Sequence, residues 1–353
     1  MPTRSKILLA VILVLASVLG ILVTVIPGSG DASAAARASL TRQLNICGSG
    51  QTSIKCSAGA LDLAATVIPA PLAMKALIEL VAGNGSLATS CHEVGHIFGT
   101  VSYKKLGTEA WGPGLQDCGY GYYHGVLEGM AQSGKLSDFR KFALSMCTEG
   151  EQRDSRRCIH GVGHAASIAF TSLDDATNLC EQFSDHDFMI TCVEGAAMIW
   201  SGDNPNETPG NIIQQCRAIS DDVQEQQYCL TGVIEYMKIT PQRLDELKKA
   251  CVGLGEDPLA GYCWRGLGWL LADTFIWAKD SARAATIKDT AGYCAGTGLE
   301  ICYQQFGNQI LIRYMSVSES NGYCDLLGNG SQFCRAGVKN SAESFMNDPS
   351  LRP

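Results

Sequence analysis

The sequence predicts an all-α protein: a solenoid-like run of disulfide-stapled αα hairpins that follows an N-terminal transmembrane helix. Three observations carry that expectation. The cysteines fall into close pairs at a repeating interval, the segments ahead of the pairs carry helix starts and helical apolar spacing, and the chain opens on an unbroken aliphatic stretch.

The opening stretch comes first. Arg4 and Lys6 precede ILLAVILVLASVLGILVTVI, residues 7–26, in which no charge occurs. Such a run is long enough to cross a bilayer as a helix. The basic residues before it keep the N-terminus in the cytoplasm and export the rest. Residues 1–27 are therefore assigned as a signal-anchor. The small residues of ASAAARA just beyond offer a cleavage site, and with it a secreted alternative. Residues 28–58 read as a linker with a small loop between Cys47 and Cys56. Residues 59–136 form a helical part that begins with LDLAATVIPAPLAMKALIELVAG, Leu61 to Gly83. This segment is apolar, but Asp62, Lys75, Pro69 and Pro71 make it soluble core helix rather than a second span.

From residue 137 to 345 the cysteines acquire a rhythm. Cys147 and Cys158, Cys180 and Cys192, Cys216 and Cys229, Cys251 and Cys263, Cys294 and Cys302, and Cys324 and Cys334 form close pairs. The second members recur every 32 to 39 residues and most open a C-x-x-G motif: CIHG, CVEG, CLTG, CWRG, CRAG. That period is one helix-turn-helix unit. Ser137, Ser172 and Thr240 are candidate N-caps, and Pro241 sits where a first helical residue would. The polar stretches between paired cysteines, including the DHD of Asp185 to Asp187, read as solvated loops. On this reading each first helix ends in a cysteine and each second helix begins with one, with a disulfide stapling the hairpin. Cys91 and Cys118 pair by elimination, and residues 346–353 are a tail. Trp264, Trp269 and Trp277 read as core between late repeats, and Tyr120, Tyr122 and Tyr123 as packing.

This architecture resembles the cysteine-rich Sel1-like branch of the tetratricopeptide-type repeats, in which each αα hairpin carries one disulfide. The resemblance covers roughly residues 137–345 and rests on period and cysteine placement. It implies a binding scaffold with a repeat surface for a protein partner.

Composition narrows the partners. Sixteen cysteines exclude an ordinary reduced cytosolic chain. A formal charge of −8 with no Lys/Arg run excludes nucleic acid, which needs a basic face. Membrane contact falls to the N-terminal helix alone.

The chemistry lies in the histidines. Five of the six occur in one pattern, H-x-V-x-[H/E]: His92 to His96, His124 to Glu128, and His160 to His164. Each copy puts two metal-capable side chains at i and i+4, on one helix face. The later repeats hold Glu194/Met198, Thr231/Glu235, Arg265/Trp269 and Ala336/Asn340 at the corresponding places, so the repeat itself does not demand histidine there. The first copy contains H-E-x-x-H, which in a zincin protease would make Glu93 the general base. Two facts oppose that reading. Gly161 and Gly125 follow the first histidine in the sister copies, and Ser102 stands where a metzincin carries its third histidine.

Packed helices lie about 8–10 Å apart, close enough for imidazoles from two of them to share an ion. His92, His96, His124, His160 and His164, with Glu128, are the expected metal ligands, and Glu93 the catalytic acid/base candidate. The donors suit a divalent transition metal of the Zn, Cu or Fe kind. A haem attached through C-x-x-C-H is excluded. The sequence thus leads to an exported, membrane-anchored metal-binding repeat protein, either a metal-dependent hydrolase or oxidoreductase, or a non-enzymatic scaffold.

Overall fold

A computed structural model describes residues 91–111, 120–134, 136–147, 155–277, 292–295, 299–314 and 316–347, with a few isolated positions besides. The expected anchor, linker, Cys47–Cys56 loop, Cys91–Cys118 pairing and tail fall outside the described residues or side chains. No helix among the described residues is long and apolar enough to cross a membrane.

The described chain is all helical. Its helices are α1 (Cys91–Leu106), α2 (Gly121–Gln132), α3 (Leu136–Met146), α4 (Ser155–Ala169), α5 (Leu173–Cys180), α6 (His186–Asp203), α7 (Pro209–Ala218), α8 (Val223–Glu235), α9 (Pro241–Leu254), α10 (Ala260–Trp277), α11 (Leu299–Tyr314), α12 (Val317–Cys324) and α13 (Ser331–Asn347). They form two layers. The inner layer runs α1–α2–α4–α6–α8–α10–α11–α13, each packed on the next, and the shorter helices α3, α5, α7, α9 and α12 lie against it. The inner series begins with α1 and α2, ahead of the first described hairpin disulfide.

All six expected disulfides between residues 147 and 334 are formed, with Cα–Cα distances of 5.4–5.6 Å. Four tie α5, α7, α9 and α12 to α6, α8, α10 and α13, Cys147–Cys158 joins the residue after α3 to α4, and Cys294–Cys302 enters α11; closing loops of this size stabilises by about 2–4 kcal/mol per crosslink. This density of disulfides implies an oxidising, extracytoplasmic compartment.

Several expected boundaries move. The second cysteine lies inside its helix rather than at the start: α6 begins at His186, before Cys192, and α8 at Val223, before Cys229. The reason is capping. Asp185 accepts from Phe188 N–H, and Asp222 from Gln224 N–H, so each ends the loop early and starts the helix. DHD is therefore a helix start and not a loop. Ser172 and Thr240 cap as expected, accepting from the amides of Asp175 and Arg243. The helix expected to start at Ser137 begins at Leu136. Trp264 is core, Trp269 is only half-buried, and Tyr120, Tyr122 and Tyr123 are all buried.

The inner helices meet backbone to backbone, and glycine makes that possible. A Cβ on Gly163 would stand 2.0 Å from the Cys192 carbonyl oxygen, and one on Gly195 2.1 Å from that of His160. The same reciprocal contact joins α1 to α2, where Gly99 faces Tyr122 O and Gly125 faces His96 O, and α11 to α13, where Gly307 faces Cys334 O and Gly337 faces Gln304 O. This recurrence sets the axial register of the array. By it, His96 is the equivalent of His160. The motif copy in α1 is thus displaced by one helical turn from the others, and His92 lies a turn beyond the shared row.

Candidate metal centre

Three inner helices carry the cluster. His92 and His96 come from α1, His124 and Glu128 from α2, and His160 and His164 from α4. The close glycine packing brings these faces together, and the structure gathers all five imidazoles into one volume. Ring centroids lie 4.6 Å apart for His92–His96, 5.0 Å for His96–His124, 5.2 Å for His124–His164 and 4.7 Å for His160–His164. His124 and His164 are 2% exposed and Glu128 is 9% exposed.

The hydrogen bonds decide which nitrogens face inward. His124 Nε2 lies 2.7 Å from the Arg157 carbonyl oxygen. A carbonyl only accepts, so His124 Nε2 carries the proton and Nδ1 is left with a lone pair. That Nδ1 is 3.3 Å from His96 Nε2, which is itself 3.0 Å from His92 Nε2. On its other side His96 Nδ1 donates to Glu128 Oε1 at 2.8 Å. One nitrogen each from His92, His96 and His124 therefore points at a common place, and the donors lie within 4.8 Å of one another.

A second group within the same limit comprises His96, Glu128 and His164. His164 Nδ1 stands 3.4 Å from Glu128 Oε1. Glu128 thus accepts from His96 of α1 and lies beside His164 of α4, whose buried Nδ1 makes no hydrogen bond. The two groups share His96. A neutral imidazole offers one lone pair, so His96 serves one ion and not both. His160 belongs to neither group. It joins the cluster through His164, at 3.0 Å between the Nε2 atoms, and turns Nδ1 toward Glu194 Oε2 at 3.8 Å. Glu93 also stands outside both groups, yet it lies near enough to His96 to favour its charged form.

The titration behaviour follows from this layout. Burial and the neighbouring rings hold His124 and His160 well below the ordinary histidine range. Burial lowers His164 too, against the pull of Glu128. Burial also opposes the charged form of His96, but Glu128 and Glu93 outweigh it and raise its pKa. Burial would raise Glu128 as well. His96 and His164 overcome that and hold it far below the usual carboxylate range.

The histidine pattern in the sequence anticipated the cluster. The Arg157 carbonyl has no sequence signal, because every residue carries one. The reading of Gly125 and Gly161 as packing glycines agrees with the structure: a Cβ on Gly125 would strike His96 O at 1.9 Å, and one on Gly161 the His124 ring at 2.3 Å. Glu93 occupies α1, the first helix described, where no earlier described helix presses on it.

Compared with protein-family models, with curated proteins and with solved structures, the chain matches none.

Proposed function

We propose that this protein is an extracytoplasmic metal-dependent hydrolase. In this reading a divalent transition ion is held by His92, His96 and His124, and residues 7–26 anchor the domain to the membrane. The observation that supports it is the convergence of His92 Nε2, His96 Nε2 and His124 Nδ1, with the far sides of His96 and His124 tied to Glu128 and to the Arg157 carbonyl. Metal-binding histidines are commonly oriented by such carboxylate and carbonyl acceptors. Glu128, expected as a ligand, is here an orienting carboxylate.

Three nitrogens leave a position open, which separates a catalytic arrangement from a closed structural one. An ion of the Zn, Cu or Fe class bound there supplies Lewis acidity toward a water or substrate oxygen. Glu128 fixes the His96 tautomer and offsets charge. Glu93, half-buried on α1, is assigned proton transfer.

Elemental analysis of the purified protein tests this, repeated on His96→Ala and His124→Ala variants with helicity followed by circular dichroism. The expected result is stoichiometric metal that both substitutions abolish while the helices persist. Metal-free folded protein that takes up no Zn²⁺ would leave the second reading, a non-enzymatic scaffold. That reading draws its support from the five inner helices that continue past the last ring of the cluster.

A further inference from the structure

We propose that the centre is dinuclear: His160 and His164 hold a second divalent ion through their Nε2 atoms, beside the first, with Glu128 as the acceptor common to both halves. This inference rests on the metal-site reading above and adds a second site to it.

The argument begins with an internal symmetry. Two i, i+4 histidine pairs flank Glu128, one on α1 and one on α4. In each pair the Nε2 atoms are 3.0 Å apart. In each, the second histidine turns Nδ1 to the same oxygen, Glu128 Oε1, at 2.8 Å from His96 and 3.4 Å from His164. His96 Nδ1 hydrogen-bonds to that carboxylate and His164 Nδ1 faces it without a hydrogen bond; with each proton on the Glu128 side, both inner Nε2 atoms are available as donors. His160 is arranged the same way on its own far side, where Nδ1 faces Glu194 and the ring also bonds to the Thr191 backbone.

Two imidazole nitrogens at this separation share a proton or, with both far sides protonated, an ion. An ion with metal–nitrogen bonds of about 2.0–2.1 Å fits the gap at a bite angle near a right angle. The His96 and His164 rings are stacked with centroids 5.4 Å apart, so the two ions would be neighbours across Glu128. Neighbouring ions of this kind clamp the attacking and leaving oxygens of a hydrolysed ester, phosphoester or amide.

The halves are unequal. The α1–α2 side offers three nitrogens and the α4 side two, so the second ion binds more weakly and leaves more positions to water and substrate.

Titration of the chelator-stripped full-length protein with Zn²⁺, followed by calorimetry and elemental analysis, tests this. Two ions per chain are expected, the second binding at least tenfold more weakly. A His160→Asn, His164→Asn variant should keep one ion, its affinity within about threefold of the wild-type first site. Since that variant can fail to fold, Cu²⁺ loading of the wild-type chain gives an independent readout. The second equivalent should broaden or quench the electron paramagnetic resonance signal of the first through magnetic coupling. A single ion per chain, unchanged by the double substitution, overturns the second site and leaves the proposed function standing. Additive, uncoupled Cu²⁺ signals overturn it also. Failure to bind any ion overturns both.

Discussion

Glu128 and Glu235 occupy the same place in the array. Each lies three residues after a glycine, Gly125 or Gly232, that presses on the backbone of the preceding inner helix. Both are buried. Yet Glu128 is driven far below the ordinary carboxylate range and Glu235 well above it. The fold is the same at the two positions and the neighbours are not. Burial raises both; two imidazoles overcome it at Glu128, whereas at Glu235 Glu194 and Asp273 add to it and only Arg265 opposes it. Glu194 likewise rises to about 7, chiefly through burial. One shared helical scaffold thus lowers a buried carboxyl at one end of the array and raises two farther along it. The packing glycines recur in α11 and α13 without any histidine, so the imidazoles are not there to hold the helices together.

The largest expected effect tests the shared scaffold. Gly163→Ala and Gly307→Ala each force a methyl group against a backbone oxygen about 2 Å away. Each should lose about 1–3 kcal/mol or more in urea denaturation, by a similar amount in both halves. A tolerant Gly307 would show that the two halves are packed differently.

Next come the two carboxylates. Glu128→Gln should weaken the affinity of the apo protein for Zn²⁺ by about 10–100-fold, as loss of an orienting acceptor does, while Glu235→Gln leaves it unchanged. Equal effects would dissolve the comparison.

The pH dependence sharpens it further. Glu194 and Glu235 keep protons that the unfolded chain releases, so their contribution to stability falls as pH rises, for Glu194 from about 4.5 to about 7. Glu128 works in the opposite direction: its contribution is present above the unfolded pKa and is lost as pH falls through its depressed value. His124, His160 and His164 resist protonation, so acidification below the unfolded value of 6.5 destabilises through them. His96 stabilises below that value and loses its contribution as pH rises through its raised one. In metal-free protein, Glu235→Gln should therefore be more stable than wild type at pH 8, and the gain should shrink at pH 5. Chemical denaturation at both pH values measures this.

The smallest effect belongs to the histidine outside the cluster. His186 pairs with Asp222 at 2.7 Å on the surface. Its substitution by Ala should leave metal content unchanged and stability within the error of denaturant titration, because exposed pairs contribute little.

Much of this molecule is legible in the sequence. The cysteine rhythm marked all six described hairpins, Ser172 and Thr240 marked true helix starts, and the i, i+4 spacing put the right side chains on single helix faces. The errors were local competitions. Asp185 and Asp222 are capping residues whose helices begin earlier than the polar composition around them indicates, and α3 begins at Leu136, ahead of Ser137. The site was legible as a set of residues. The grouping was not, since His160 falls outside both groups of three donors while Glu128 belongs to one of them with His96 and His164.

What the sequence determined alone is whatever depends on one helix: its existence, its buried face, its cysteine partner a short loop away. Helical periodicity is local, and local order suffices for it. The tertiary structure alone decided the axial offset between helices, which sets α1 a full turn ahead and brings His92 and His96 against His124. That offset is fixed by glycine-to-carbonyl contacts between separate helices. No single helix encodes how far its neighbour slides, so the meeting of the imidazoles is a property of the packed array.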